Sequence, residues 1–278
     1  MLAPTQPLVM FLQAFLTQTA GYFGLMGLIY LVVWRWGEER FRGARIQPKR
    51  RFNRAQFVFE ARHSLGTLAV GTGTAVVVSL LYAKGLTRLV ANPGSLGWPA
   101  ALAGLLGFLL YNDLWFYGCH RLLHHPRVYR YVHAVHHRSV DVGPFSVYSF
   151  HPVEALVLAA AVVPWVLLVP TCLPAIGIAQ GVGLANNVMS HLGYEFLPRW
   201  FNAVPPFRWM NTSTFHNLHH TRVNGNFGLL LRLADRLFGT ELPGYEKAFL
   251  ERGAPPSGAW GADRAPVTLR AGPGSKRS

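Results

Sequence analysis

The chain has 278 residues, 51% hydrophobic and 14% charged, with 26 Lys and Arg against 12 Asp and Glu for a formal net charge of +14. So apolar a composition excludes an ordinary soluble enzyme and points to a membrane protein. A basic excess of this size in a soluble domain would suggest nucleic acid. Beside hydrophobic spans it follows the positive-inside rule and meets lipid head groups or an acidic redox partner, so no nucleic-acid partner is expected.

The first charged residue is Arg35, and Leu8 to Trp34 is long enough to cross a hydrocarbon core of roughly 30 Å. We read it as a retained helix, because no basic n-region precedes it and no small-residue cleavage site follows. From Arg35 to Arg62 nine Lys or Arg residues stand against Glu38, Glu39 and Glu60, which marks a cytoplasmic loop. A second span runs from Ser64 to Ala83, a loop from Lys84 to Pro99, and a third span from about Ala100 to Gly118. Asp113 interrupts that span, so it faces the protein interior or sits at the interface. Residues 1–109 therefore form an N-terminal membrane region with a basic cytoplasmic loop.

Three crossings return the chain to the cytoplasm where His120 begins. From Ala155 to Ser190 there are 36 residues without a charge, which as one helix would measure about 54 Å and overshoot the bilayer. The segment must fold back at Pro170 and Pro174, with arms of roughly 152–169 and 175–190 inside a hairpin over 152–190. Whether the hairpin crosses or only dips in, it returns the chain to its starting face. Trp200, Phe201, Phe207 and Trp209 beside Arg199 and Arg208 then suit the head-group level. Residues 253–278, dominated by Pro, Gly and Ser, are expected to be a disordered tail. Cys119 and Cys172 imply no disulfide framework.

Nine of the twelve histidines fall into groups: His120 and His124; His133, His136 and His137; His191; His216, His219 and His220. On a helix, spacings of three and four place side chains on one face. Imidazole suits zinc, copper, iron or nickel, and eight or nine such donors exceed what one ion of four to six ligands can use. Two metal ions are the economical reading. The expected fold is all-α: an integral membrane helical bundle of about four hydrophobic elements, with a histidine-rich cytoplasmic cap holding two metals.

The histidine pattern and its flanking words, DLWFYGCHRLLH from Asp113 to His124, YRYVHAVHHRS from Tyr129 to Ser139, HPVE from His151, HLGYE from His191, NFG from Asn226 and DRLFGT from Asp235 to Thr240, resemble the fatty acid hydroxylase and sterol desaturase superfamily of membrane di-iron oxygenases. The resemblance covers residues 110 to 241, within a catalytic region of 110–245. It implies that His120, His124, His133, His136, His137, His216, His219 and His220 bind two iron ions, with His191 as a further ligand. His151 matches the HPxE word, but the proline beside it breaks helical presentation, so a contact that orients a ligand is an equal reading. Where relatives carry HxxxH this chain has His191 and Glu195, so Glu195 is a candidate replacement ligand. Asn187, Asn217, Asp113 and Asp235 are candidates for orienting the metal ligands. His63 has no partner at ligand spacing and reads as an interfacial side chain.

The resemblance further implies a monooxygenase-type oxidoreductase that hydroxylates or desaturates a lipid C–H bond, with dioxygen as co-substrate. The chain has no dinucleotide fingerprint, haem attachment site or iron–sulfur cysteine set. Electrons must then come from an external donor, a ferredoxin or small cytochrome with its NAD(P)H reductase. Arg127, Arg130, Arg138 and the Arg-rich loop offer a docking face. Two other classes stay open: a histidine-rich metallohydrolase, which lacks an HExxH base here, and a metal transporter, for which histidines within the spans would be needed. Of the 26 basic residues 22 are Arg, which leans towards a GC-rich bacterium, its inner membrane, and lipids other than sterols.

Overall fold

The computed structural model describes residues 6–48 and 53–251. The expected tail at 253–278 and residues 49–52 of the basic loop lie outside the described residues.

Three helices are long and apolar enough to cross a membrane. The first, α1 (Pro7–Ile29), continues as a wider π-helical stretch, Tyr30–Trp36. The second, α2, runs Arg54–Ala83 and is started by Asn53, whose side chain accepts the Gln56 N–H at 2.9 Å. The third, α3, is Trp98–Leu123. Two of these exceed the expected spans. The absence of charge delimits only what lies in lipid, whereas a helix ends where a breaker stands, so α2 begins ten residues before Ser64 and α3 carries on through His120 to Leu123.

Two one-turn helices follow, α4 (Pro126–Tyr129) and α5 (Ala134–His137). The hairpin turns where its prolines were expected to turn it, but its first arm is broken into α6 (Pro152–Ala159) and α7 (Val162–Leu168). Pro164 accounts for the break, since it cannot donate to the Ala160 carbonyl and its ring crowds that group. The turn is fixed by a short parallel pairing of β1 (Leu89–Val90) with β2 (Thr171–Cys172), after which α8 (Leu173–Ser190) returns. Beyond it come α9 (Ser213–Arg222), α10 (Leu233–Leu237) and α11 (Tyr245–Leu250).

Small residues let α3 approach the hairpin closely. A Cβ on Gly107 would sit 3.0 Å from the Trp165 ring, and one on Gly104 would sit 3.4 Å from Thr171. Phe108, Val162, Val166 and Ala179 fill that interface. On the other side, Tyr22 and Met26 of α1 and Leu68 of α2 enclose Phe145 and Val147, with Leu184 and Val188 of α8 against them. The packing brings the C-terminal ends of α3 and α8 to one end of the bundle, beside α5 and α9.

Candidate metal centre

The nine grouped histidines converge as two sets. His120, His124, His133, His137 and His219 form one, and His136, His191, His216 and His220 the other, with the ligand atoms of each set within 4.8 Å of one another. Each HxxHH triplet is divided between them. His133 and His137, one turn apart on α5, belong to the first set while His136 crosses to the second. On α9 the arrangement is mirrored: His216 and His220 serve the second set and His219 crosses to the first. A triplet is the shortest helical word that offers a one-turn pair to one ion and a neighbouring donor to another.

Ring nitrogens within each set lie close together, and in five of the rings a hydrogen bond fixes the proton on Nδ1. Nδ1 of His120 donates to the Phe227 carbonyl at 2.8 Å, Nδ1 of His219 to Gly225 at 2.7 Å, Nδ1 of His191 to Asn187 at 2.9 Å and Nδ1 of His136 to Ser149 at 3.4 Å. His133 donates instead to Oε1 of Glu154 at 2.8 Å. With Nδ1 protonated, Nε2 of a neutral ring is an acceptor only. Yet Nε2 of His120 lies 3.0 Å from Nε2 of His133, which is 3.1 Å from that of His137, and Nε2 of His216 lies 3.2 Å from that of His191 and 3.0 Å from that of His220. Facing lone pairs at such distances repel unless a cation lies among them. Nitrogens that share one ion at bonds of about 2.1 Å must come about this close to one another. Nε2 of His219 is buried without a hydrogen-bond partner, as metal ligation would require. The residues present therefore fit two imidazole-bound ions.

Burial holds the rings in the ligand-competent neutral form. Desolvation, reinforced by neighbouring imidazoles, pushes His133, His136, His137, His216, His219 and His220 well below the ordinary histidine range. It brings His191 down to about 4. Ser213 to His220 of α9 are all buried although most are polar, which is costly for any polar group left without a partner. Thr212 Oγ1 accepts the Phe215 N–H at 3.1 Å and Glu195 Oε2 accepts that of Thr214 at 3.0 Å, so the first turn of α9 is capped twice.

A small enclosed chamber lies between the two sets, with His120 and His133 on one wall, His136, His191 and His216 on the other, and Phe116, Phe150 and Leu229 closing it. Glu154, Asn187 and Ser190 add polar groups to its lining.

Several expected site residues stand elsewhere. His151 joins neither set; it caps α6 by accepting the Val153 N–H at 3.2 Å. Glu195 also joins neither, its oxygens taken by Leu197 N–H at 3.1 Å and by Thr214. The Asn187 side chain donates to the Val147 carbonyl at 3.0 Å, and it is the main-chain oxygen of Asn187 that holds His191. Asn217 accepts from Gln47, and His63 bonds the Phe59 carbonyl.

Asp113 and Asp235 act one step further out. Asp235 accepts the N–H groups of Phe227 at 2.8 Å and Gly228 at 2.7 Å, and Asp113 accepts that of Leu230 at 2.6 Å. Together they fix the loop whose carbonyls at Gly225 and Phe227 orient His219 and His120. A Cβ on Gly228 would lie 2.3 Å from the Leu231 carbonyl oxygen and 3.0 Å from the Asp235 carboxylate, which explains the glycine of the NFG word.

The residue that sequence reasoning passed over is Glu154. It closes the HPVE word that begins at His151. Its signal was its place, three residues into a helix-starting motif, which turns it inward from the first turn of α6. Among the basic residues, Arg127, Arg130 and Arg138 are exposed, whereas Arg45 of the Arg-rich loop is buried against the Trp34 ring at 4.3 Å and Tyr194 Oη at 3.1 Å, so it serves the core and not a docking face.

The fatty acid hydroxylase family model matches residues 105–240. A methylsterol monooxygenase 1 of Gallus gallus is 32% identical over 146 residues, 52% of this chain and 48% of the relative. A putative methylsterol monooxygenase of Dictyostelium discoideum is 31% identical over 147 residues, 53% of this chain and 54% of the relative. A Delta(7)-sterol 5(6)-desaturase of Gibberella zeae is 28% identical over 157 residues, 56% of this chain and 47% of the relative. The chain spans about half the length of these curated relatives. No solved structure matches. The relatives named are eukaryotic sterol enzymes, which lends no support to the bacterial inner membrane or to the lean away from sterols drawn from arginine usage.

Proposed function

Because residues 105–240 of this chain match the fatty acid hydroxylase family model, we propose that the protein is a membrane-bound di-iron oxygenase that hydroxylates or desaturates a C–H bond of a lipid, using dioxygen and two electrons from a separate carrier. The single observation that carries this reading is the pair of imidazole sets facing one chamber at the end of a membrane bundle. His120, His124, His133, His137 and His219 would hold one ion, and His136, His191, His216 and His220 the other. Iron bound by such ligands supplies the activation of dioxygen and the oxidising power to take hydrogen from an unactivated carbon, which side chains alone cannot do.

The chain's own part is positioning. Phe116, Phe150 and Leu229 give the chamber an apolar lining that would face the reacting carbon. Along α8, Gln180, Gly183 and Asn187 share one side, between the contacts that Ala175 and Ala179 make with α3 and the hairpin and those that Leu184 and Val188 make with α1 and α2. Gly183 presents bare backbone there, with no neighbour within 4 Å of where a Cβ would stand. This side of α8, exposed at Gln180 and half-buried at Gly183 and at Asn187 in the chamber wall, would be the route for a lipid chain or ring system arriving from the bilayer. The relatives' names favour a sterol or a lipid of similar shape.

With the basic loop on the cytoplasmic side, three crossings and a returning hairpin would bring both sets to that side, where the exposed Arg127, Arg130 and Arg138 would offer an acidic electron carrier a cationic surface. The histidines gather at one end instead of lining the spans, which weighs against a transport pathway. The test is twofold. Purified protein should hold two irons per chain, and lipid mass spectrometry of cells with and without the protein should reveal a species that gains one oxygen or loses two hydrogens. A single ion per chain, or an unchanged lipid profile with iron-loaded protein and reductant supplied, would refute the reading.

A further inference from the structure

The two imidazole sets are restrained differently. Among the described residues, five of the nine rings are held at Nδ1 by a hydrogen bond, four of them on main-chain carbonyls and one, His133, on a carboxylate. That carboxylate, Glu154, is 1% exposed, and its second oxygen has no hydrogen-bond partner. A buried carboxylate with one oxygen unpaired is expensive unless positive charge lies close by. The charge at hand is the cation His133 would bind, one imidazole away. The neighbouring acids do other work: Glu195 accepts from Leu197 and Thr214, Asp113 from Leu230 and Leu231, and Asp235 from Phe227, Gly228 and Thr240.

We infer that Glu154 is a positioning residue that makes the two metal sites unequal, so that the ion of the His120, His124, His133, His137 and His219 set binds first and more tightly than the ion of the His136, His191, His216 and His220 set. The inference rests on the two-ion reading above. A carboxylate behind a ligating imidazole fixes its tautomer, aims its Nε2 and makes that nitrogen a stronger donor, whereas a carbonyl supplies the aim with less charge. The first set also offers five donors against four. Both differences act in one direction.

The test needs no turnover. Metal-free protein in detergent is titrated with cobalt(II), whose visible absorption reports each nitrogen-bound ion. Wild-type protein should fill in two steps, with His133→Ala losing the tighter and His216→Ala the weaker. Glu154→Gln keeps an oxygen for the His133 N–H but removes the charge, so it should weaken the tighter step by about 10- to 100-fold and leave the other where it was. Equal affinities in wild-type protein, a tighter step that His216→Ala and not His133→Ala removes, or a Glu154→Gln titration shifted in neither step or equally in both would overturn the inference while leaving two ions per chain. Only one cobalt per wild-type chain would overturn the two-ion reading and this inference with it. Should Glu154→Gln fail to fold, the histidine variants and the wild-type titration still decide the order of filling.

Discussion

The two HxxHH triplets have the same spacing and opposite means of support. His216, His219 and His220 stand on α9, a helix of ten residues with its own caps at Thr212 and Glu195. His133, His136 and His137 stand on a single turn, α5, that has no side-chain cap. What α5 lacks locally comes from distant elements. Glu154 of α6 holds His133, and just past the triplet Ser139 donates to Glu60 of α2 at 2.7 Å. Gln56 of α2 donates to the same Glu60 oxygen at 2.8 Å and to the Asp141 carbonyl at 3.1 Å. Gln47 joins the two triplet regions, donating to the Val140 carbonyl at 2.9 Å and to Asn217 at 2.8 Å. One spacing can thus be held by its own helix or by the tertiary fold, and nothing in the spacing says which.

The sharpest way to break the symmetry is to remove ligands in pairs. His137 and His219 come from different triplets but the same set, and the double variant His137→Ala/His219→Ala, with three of five donors left, should abolish turnover and leave one ion per chain, bound by the other set. His136→Ala/His220→Ala should do the same to the opposite set. Iron content together with spectroscopy of the remaining ion checks this. If variants sorted by triplet instead of by set, the crossing of His136 and His219 would be wrong.

Acid should strain both triplets together. Burial lowers their imidazoles below the ordinary range, His191 beside them to about 4, so the native state holds neutral rings that the unfolded chain protonates near 6.5. A lowered histidine contributes stability that is complete above the unfolded value and is lost as pH falls through the native one. Metal-free protein should therefore keep a constant thermal midpoint from about pH 8 to pH 7 and lose stability progressively below about pH 6.5, with several rings contributing. A midpoint flat down to pH 5 would contradict neutral burial.

Next in size is the loop that restrains one ring and the α9 histidine crossing to meet it. Asp235→Ala leaves the N–H groups of Phe227 and Gly228 without their charged acceptor, at a cost of about 3 kcal/mol. It should also loosen the first set, through the Phe227 carbonyl on His120 and the Gly225 carbonyl on His219, more than the second. Thermal unfolding and metal retention during dialysis would check both effects.

Much of this site was legible before the fold. Donor type and eight of the nine histidines that converge follow from spacing, because imidazoles three and four apart share a helical face wherever that helix lies, while His191, alone in its stretch, was carried by its HLGYE word. The turn between Pro170 and Pro174 was legible for an equally local reason. What was not legible depended on neighbours. That His136 and His219 cross between sets is a property of how α5 and α9 face each other. Glu154 gained its role from the inward side of α6. His151, an imidazole beside it, became a helix cap because Pro152 starts the helix there. Likewise the break before α7 needed attention to Pro164 within an apolar run whose length alone suggested a continuous arm.

The smallest effects should distinguish the two modes of support most directly. Ser139→Ala removes one donor from Glu60 and the tie between α2 and the segment after α5, and should cost about 1–2 kcal/mol. Thr212→Ala removes the cap of α9 and should cost about 1 kcal/mol. The two losses are similar in size but should differ in kind. Thr212 caps its own helix and bonds Tyr245 Oη of α11 at 3.1 Å, touching no histidine of either set, and Glu195 still caps the Thr214 N–H, so its removal should lower the unfolding midpoint and leave metal affinity nearly unchanged. Ser139 acts on a triplet with no helix of its own to fall back on, so its removal should weaken metal binding by His133 and His137 as well as lower the midpoint. Cobalt titration of both variants beside their melting curves would show it, and equal metal affinities would mean that α5 is more self-sufficient than its single turn implies.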